Sequence, residues 1–226
     1  VVTYGIEDNQ SDFRADSICV EESRTSFCVT AGKETARVTL SVCGRHHVYN
    51  ALAAIACARL LGISAGEAAR ALSGYAPTGM REKIVDFHGI RLIEDCYNAS
   101  PDSMASAFGL LAALRVAGRR IAVLGDMKEL GSVSRQAHFD AGAAAGRAGV
   151  DLLLTLGEEA RLYADGFRST GAAGSPRECL SFDRPEGLAG ELAGRMRPGD
   201  AVLFKASRAM KLEEVVRMAC ERWRKP

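Results

Sequence analysis

The sequence has no excess charge of either sign and no long apolar run. Its 29 lysine and arginine residues are balanced by 28 aspartate and glutamate residues, so charge alone gives no support for a nucleic-acid or membrane-surface partner. No apolar segment approaches membrane-spanning length, and no basic start precedes an apolar run. These features predict a soluble, cytoplasmic protein with no membrane partner.

Paired cysteines and two common cofactor motifs are also missing. The seven cysteines are scattered without paired spacing, which predicts reduced thiols. The first strand-to-helix turn of the regular α/β part lacks G-x-G-x-x-G, which disfavours hydride transfer with a dinucleotide, and no G-x-x-x-x-G-K-[ST] loop could hold a triphosphate. None of the four histidines has metal-ligand spacing, so no metal site is predicted.

The first 43 residues are predicted to form short strands. Segments such as Val38–Val42 alternate apolar and polar side chains, which is typical of antiparallel strands with one solvated face. From His47 the spacing predicts a helix that ends at Gly62 and whose buried face carries Ala51, Ala54, Ile55, Ala58 and Leu61. A second helix is predicted from Ser64, paired with Glu67 in a capping box, to Leu72.

A domain boundary is predicted where Pro77 and Gly79 separate two differently patterned regions. The predicted domains are residues 1–78 and 79–226. The chain begins at Val1 in what resembles the middle of a strand, which suggests a piece of a longer protein.

Strands and helices alternate regularly beyond the boundary. His88-Gly89 predicts a two-residue hairpin turn. Strands are predicted at Ile121–Leu124, Leu152–Leu156, Cys179–Phe182 and Ala201–Phe204, and helices at Ser134–Ala148, Glu158–Gly166, Pro185–Met196 and Met210–Trp223. This order predicts an α/β fold with a mostly parallel sheet covered by helices on both faces.

The segment Leu92–Met104 joins a short apolar strand to a helix through a polar loop. Ser100 is the predicted N-cap and Pro101 the first helical residue. The buried face of this helix is predicted to carry Met104, Ala107, Phe108, Leu111 and Leu114. Asp95 and Asn98 would place an acceptor and an amide near the helix N-terminus, although the same pattern also fits a capped loop without a ligand.

Three polar loops follow strands of the second region: 95–100, 125–131 and 205–209. Because the carboxyl ends of parallel strands meet at one edge of a sheet, these loops should lie side by side. Their acids, amides, hydroxyl and cations suit a zwitterion or a nucleotide sugar better than an apolar ligand. Each loop taken alone is compatible with ordinary turn chemistry.

Several other polar residues remain ambiguous from the residues alone. His46 and His47 fit helix capping or solvent exposure better than ligand contact. Asn50 is compatible with a surface position or with an amide that reads a purine edge. Arg81 is compatible with a salt bridge at the boundary or with a cation that reaches a phosphate.

Five segments of the chain, in order, resemble the Mur ligase family. They are Gly44-Arg-His-His-Val-Tyr-Asn-Ala-Leu-Ala-Ala-Ile, Thr78-Gly-Met-Arg81, Asp95-Cys-Tyr-Asn-Ala-Ser-Pro-Asp-Ser-Met104, Gly125-Asp-Met-Lys-Glu-Leu-Gly131 with His138, and Lys205-Ala-Ser-Arg-Ala-Met210. Within the family, the third and fourth segments are most similar to the member that adds D-alanyl-D-alanine to UDP-N-acetylmuramoyl-tripeptide.

The resemblance implies part of an ATP-dependent amide-forming ligase of peptidoglycan biosynthesis that acts through an acyl phosphate. The chain would correspond to the end of the central ATP-binding domain and the whole Rossmann-like C-terminal domain. ATP and Mg²⁺ would be the cofactors, with the magnesium ligands and the phosphate loop upstream of Val1. The chain alone would therefore be inactive, and a monomer is expected.

The resemblance also implies roles for individual residues. Asn50 would contact the adenine, Arg81 would reach the ATP phosphates as the catalytic cation, and Asp95 would bind the ribose hydroxyls. The substrate-binding set would be Asn98, Ser100, Asp126, Lys205 and Ser207.

Three residues depart from the family pattern. His47 replaces an amide near the nucleotide, which puts its contact in question. Ala206 and Ala209 replace glycines, and either would be strained if its φ were positive.

Two other functions fit the sequence. One is a stand-alone ligand-binding module on a Rossmann-like scaffold. The other is a different Mur ligase or a folylpolyglutamate-type ligase, which the segments around Tyr97-Asn98 and Gly125-Asp126-Met127 disfavour by resemblance.

Overall fold

The computed structural model describes residues 1–21, 24–76, 83–171 and 178–223. The chain divides into two compact units, Val1–Pro77 and Thr78–Pro226. The predicted boundary falls between residues 76 and 83, outside the described residues. Among those described, no helix is long and apolar enough to cross a lipid bilayer.

The first unit contains a four-stranded sheet and two helices. The strands are β1 (Tyr4–Ile6), β2 (Phe13–Glu21), β3 (Arg24–Ala31) and β4 (Glu34–Leu40), followed by α1 (His46–Leu60) and α2 (Ala65–Leu72). The sheet order is β1-β2-β3-β4, and β2, β3 and β4 are antiparallel as predicted. Phe27, Val29 and Val38 from the sheet join Leu52 and Ile55 of α1 in the core.

The prediction of antiparallel pairing is wrong for β1, which is parallel to β2. Between the two strands Glu7 has a φ of 56°, and the Asp8 carboxylate accepts hydrogen bonds from the Gln10 N–H (2.9 Å) and the Ser11 hydroxyl (2.7 Å). This turn is part of the connection that lets the two strands run in the same direction. Side chains alternate in strands of either direction, so the residue pattern did not determine the pairing.

The buried face of α1 also differs from the predicted one. Ala54 and Leu61 were expected to point inward, but both are exposed, Leu61 by 81%. The helix instead buries Val48, Ala51, Leu52, Ile55 and Ala56. Apolar residues lie on several sides of this helix, so their spacing did not select a single face, and contact with the sheet decided it.

The second unit is built on a six-stranded sheet. Its strands are β5 (Lys83–Phe87), β6 (Ile90–Asp95), β7 (Arg120–Gly125), β8 (Leu152–Leu156), β9 (Glu178–Phe182) and β10 (Ala201–Lys205), and its helices are α3 (Pro101–Ala113), α4 (Ser134–Arg147), α5 (Arg161–Ser169), α6 (Pro185–Arg195) and α7 (Glu213–Arg222). The order is β5-β6-β10-β7-β8-β9. Every neighbouring pair is parallel except β5 and β6, which confirms the predicted α/β fold.

Several local predictions are confirmed. Ser64 and Glu67 form the capping box at the start of α2. His88 and Gly89 connect β5 to β6 with φ values of 52° and 78°, as a hairpin turn with two left-handed residues requires. The helix α3 begins at Pro101 after the N-cap Ser100, and its predicted apolar face is buried.

Two helices begin later than predicted. The predicted helix Glu158–Gly166 is observed at Arg161–Ser169, because the preceding loop directs the Ala160 N–H to the Asp126 carboxylate (2.7 Å). The predicted helix Met210–Trp223 begins at Glu213, after a 3₁₀ turn and Lys211 with a φ of 46°. Both starts depend on loop contacts that the helical spacing does not encode.

The strand registers confirm that the three polar loops share one edge of the sheet. Lys205 is opposite Asp95 of β6 on one side and Leu124 of β7 on the other. The three strands are parallel and end at the same level. The loops that follow them therefore emerge side by side at the carboxyl edge of the sheet.

Candidate functional site

Lys205, the last residue of β10, forms a buried ion pair at this edge. Its ammonium donates hydrogen bonds to Oδ2 of Asp95 (2.5 Å) and to the carbonyl of Asn98 (3.2 Å). The side chains of Lys205 and Asp95 are only 2% and 10% exposed. The pair joins the ends of β6 and β10. In the structure the Lys205 ammonium points into the protein, and its expected contact with a substrate stays a prediction.

The loop between β6 and α3 presents an amide beside a helix N-terminus. Asn98 is exposed. Ser100 caps α3: its hydroxyl accepts from the Ser103 N–H (3.4 Å), and the Ser103 hydroxyl accepts from the Ser100 N–H (2.9 Å). Because the helix dipole favours negative charge at this end, the loop suits a ligand that carries an anionic or acceptor group.

Cys96 lies between Asp95 and the exposed part of this loop but is not a nucleophile. It is 1% exposed, and its thiol contacts the carbonyl of Phe204 (3.6 Å). Burial raises the pKa of the Cys96 thiol to about 12. The side chain is therefore a neutral packing group at neutral pH.

Asp126, at the start of the β7–α4 loop, is held inside the protein. It is 2% exposed. Oδ1 accepts from the Ala160 N–H (2.7 Å), and Oδ2 accepts from the Lys128 ammonium (2.7 Å). The bond to Asp126 raises the pKa of Lys128. Both carboxylate oxygens are thus engaged by the protein and hold the loop, while the expected substrate role of Asp126 stays a prediction.

Ser207 connects the β7–α4 loop to the segment after β10. Its hydroxyl accepts a hydrogen bond from the Lys128 N–H (2.8 Å), and its own N–H donates to the carbonyl of Asp126 (3.1 Å). Ser207 is 4% exposed. The two loops therefore hold each other at the strand ends. Among the residues that the structure describes, the Ser207 hydroxyl donates no hydrogen bond, so its hydrogen can serve an acceptor on a ligand.

The two alanines in the Lys205–Met210 segment do not strain it. Neither Ala206 nor Ala209 is among the residues with positive φ. Ala206 is fully buried, and a Cβ added to Gly125 would lie 2.7 Å from the Ala206 methyl. The extra methyl is therefore accommodated against a glycine on the neighbouring strand.

The nucleotide candidates of the first unit lie at the start of α1. Asn50 is exposed, and His46 and His47 are half-buried, with their ring centroids 4.1 Å apart. The N-cap residue is Arg45, and its side chain makes no capping bond. Neither histidine is therefore the cap that the residue pattern suggested.

Arg81 lies outside the described residues, so the structure gives no position for it. Within the described part of the chain, no group of three or more His, Cys, Asp or Glu side chains could hold a metal ion.

The sequence did not indicate which buried side chains hydrogen-bond to the backbone of the β7–α4 loop. The hydroxyl of Tyr163 donates to the carbonyl of Gly125 (3.0 Å), and burial raises the pKa of this phenol. His138, quoted above only as part of a motif, accepts from the Met127 N–H (3.0 Å). The sequence places Tyr163 and His138 in predicted helices, but this placement does not reveal that they contact a distant loop.

These features define the second unit as an α/β domain whose polar loops meet at the carboxyl edge of a mostly parallel sheet. Residues 80–208 match the family model described as "Mur ligase, glutamate ligase domain", and residues 1–58 match the one described as "Mur ligase middle domain". The chain belongs to the Mur ligase family.

Curated relatives share about a third of its residues. The UDP-N-acetylmuramoyl-tripeptide–D-alanyl-D-alanine ligase of Bacillus subtilis is 35% identical over 217 residues, covering 95% of this chain and 46% of the relative. The enzyme of the same name from Mycobacterium tuberculosis strain H37Rv is 34% identical over 226 residues. The match covers 92% of this chain and 44% of the relative. The chain thus spans about half the length of the curated relatives it matches.

Solved structures show the same fold. MurF from Acinetobacter baumannii superposes with a TM-score of 0.82 at 25% identity, covering 97% of this chain and 47% of that one. MurF ligase from Thermotoga maritima, in complex with ADP, gives a TM-score of 0.76 at 28% identity. The match covers 98% of this chain and 48% of that one.

Proposed function

We propose that the chain is part of an ATP-dependent ligase that adds D-alanyl-D-alanine to UDP-N-acetylmuramoyl-tripeptide. The observation that carries the proposal is the common carboxyl edge of β6, β10 and β7, where the loops with Asp95, Asn98 and Ser207 emerge side by side in a chain 35% identical over 217 residues to a relative of this name. In such a reaction ATP supplies the phosphoryl group that converts the peptide carboxylate into an acyl phosphate, and the dipeptide amine then displaces phosphate to form the amide.

The residues of the second unit fit a nucleotide and an amino-acid substrate in different ways. The Asp95 carboxylate is an acceptor held in place by Lys205, which suits the donor hydroxyls of a ribose. The exposed Asn98 amide, the N-terminus of α3 at Ser100 and the Ser207 hydroxyl suit the dipeptide and its carboxylate. We assign Lys205 and Asp126 to positioning these groups.

Contacts from the rest of the chain complete the proposal. Asn50 in α1 would contact the adenine, His47 would lie near the nucleotide, and Arg81 would neutralise charge on the transferring phosphoryl group. Mg²⁺ would accompany ATP as a cofactor, and among the described residues no cluster of His, Cys, Asp or Glu is suited to hold it.

Phosphate release by the full-length protein that contains this chain tests the function. We expect release only when UDP-N-acetylmuramoyl-tripeptide, ATP and D-alanyl-D-alanine are all present, because the amine must consume the acyl phosphate. A matched reaction with free D-alanine in place of the dipeptide should stay at background. Equal turnover with the single amino acid would contradict the assignment, and nucleotide binding without turnover would favour a ligand-binding module.

A further inference from the structure

His138 of α4 is completely buried and lies under the β7–α4 loop. Its Nε2 accepts a hydrogen bond from the Met127 N–H (3.0 Å), and its Nδ1 lies 2.7 Å from the carbonyl of Ser134. The ring also packs against Tyr163, with centroids 4.9 Å apart. A buried imidazole with both nitrogens engaged by backbone groups has a defined orientation.

These contacts fix the tautomer of His138. A backbone N–H can only donate, so Nε2 carries no proton, and a carbonyl can only accept, so Nδ1 carries the proton. The Ser134 hydroxyl donates to Oε1 of Glu159 (2.8 Å) and lies 3.3 Å from Nδ1. His138 therefore offers one acceptor, Nε2, to the β7–α4 loop.

The loop that His138 holds leads directly to the candidate site. Met127 is followed by Lys128, whose N–H donates to the Ser207 hydroxyl (2.8 Å). Met127 is preceded by Asp126, which is bonded to Ala160 and to the Ser207 N–H. Loss of the acceptor on His138 would leave the Met127 N–H unpaired in the interior, and the loop would have to move to satisfy it.

We propose that His138 is a positioning residue for the ligase reaction: its Nε2 acceptor sets the Met127–Lys128 backbone and, through it, the Ser207 hydroxyl that faces the dipeptide. This role rests on the proposed function. His138 touches no substrate in this account, and it acts entirely through the loop. The expected consequence of losing it is therefore a defect specific to the dipeptide, with nucleotide binding left unchanged.

Two amide variants distinguish the role of His138 Nε2 from the role of Nδ1. In His138→Gln the side-chain oxygen reaches the position of Nε2 and can accept from Met127. In His138→Asn the shorter amide can still donate to the Ser134 carbonyl but supplies no acceptor to the loop. Gln136→Ala, on the exposed face of the same helix, serves as the surface control.

Kinetics and amide exchange are measured on the full-length protein. We expect His138→Asn to lower kcat/KM for D-alanyl-D-alanine by at least about tenfold because Ser207 is displaced, with the KM for ATP within about twofold of wild type. His138→Gln should recover most of the loss, and Gln136→Ala should behave as wild type. In NMR exchange experiments the Met127 amide should lose at least about tenfold protection in His138→Asn but not in His138→Gln.

The possible failures are distinguishable. If the wild-type protein makes no product from the three substrates, the proposed function fails, whatever the exchange data show. If wild type is active and the two variants have equal kcat/KM values, the positioning role is wrong. Unchanged Met127 protection in His138→Asn would show that the hydrogen bond itself does not hold the loop.

Discussion

Replacing Lys205 with methionine should destabilise the second unit by about 3 to 5 kcal/mol, because it leaves the Asp95 carboxylate buried without its partner. The two side chains are only 2% and 10% exposed. Methionine keeps most of the side-chain volume but donates no hydrogen bond. Urea denaturation followed by the fluorescence of Trp223 measures the effect, since this is the single tryptophan of the chain and lies in the core of the second unit.

A surface ion pair provides the matched control for Lys205. Arg217 and Glu221 form an i,i+4 pair on α7 with side chains 63% and 59% exposed, so Arg217→Met should cost no more than about 0.5 kcal/mol. Combining Lys205→Met with Asp95→Asn should cost less than Lys205→Met alone, because the uncompensated charge is removed. A Lys205→Met variant as stable as Arg217→Met would show that the pair is not a buried structural contact.

Gly166→Ala should destabilise the second unit by about 3 kcal/mol or more, because the new methyl group would collide with the backbone of a neighbouring helix. A Cβ on Gly166 would lie 1.9 Å from the carbonyl oxygen of Phe139. Gly142, on the opposite helix, is equally close to α5, with its Cβ position 2.0 Å from the carbonyl oxygen of Tyr163. The backbones of α4 and α5 are thus in direct contact, and neither can give way without a shift of a whole helix.

Gly109→Ala is the control for this prediction. Gly109 lies in the exposed part of α3, and a Cβ added there meets nothing within 4 Å. The substitution should be neutral or should stabilise the protein by up to about 1 kcal/mol, because alanine favours the helix. Both variants are compared by thermal unfolding with the same fluorescence probe. Equal unfolding midpoints for Gly166→Ala and Gly109→Ala would contradict the close α4–α5 contact.

The features that the sequence predicted correctly depend on neighbours in the chain. The hairpin at His88-Gly89 follows from two residues that tolerate positive φ, and the starts of α2 and α3 follow from capping residues at fixed spacing. The common edge of the three loops follows from strand-helix alternation, which forces parallel strands to end together. In each case, residues close together in the sequence or the order of strands and helices were sufficient to predict the feature.

The features that the sequence did not predict depend on distant contacts. The sequence did not predict that the Lys205 ammonium bonds the carboxylate of Asp95, 110 residues away in the chain. Nor did it predict that the Asp126 carboxylate accepts a hydrogen bond from the N–H of Ala160, 34 residues away. A charged residue at a strand end looks the same in sequence whether it faces a ligand or an internal partner, so only the three-dimensional register distinguishes the two.

Hydrogen exchange of the full-length protein, with and without a non-hydrolysable ATP analogue and D-alanyl-D-alanine, tests the central claim most directly. If the ligands bind at the carboxyl edge of the second sheet, peptides covering 95–100, 126–130 and 205–209 should gain protection. Peptides at the opposite edge, such as 87–90 and 197–200, should be unchanged. Protection confined to the opposite edge, or absent from all three loops, would contradict the account.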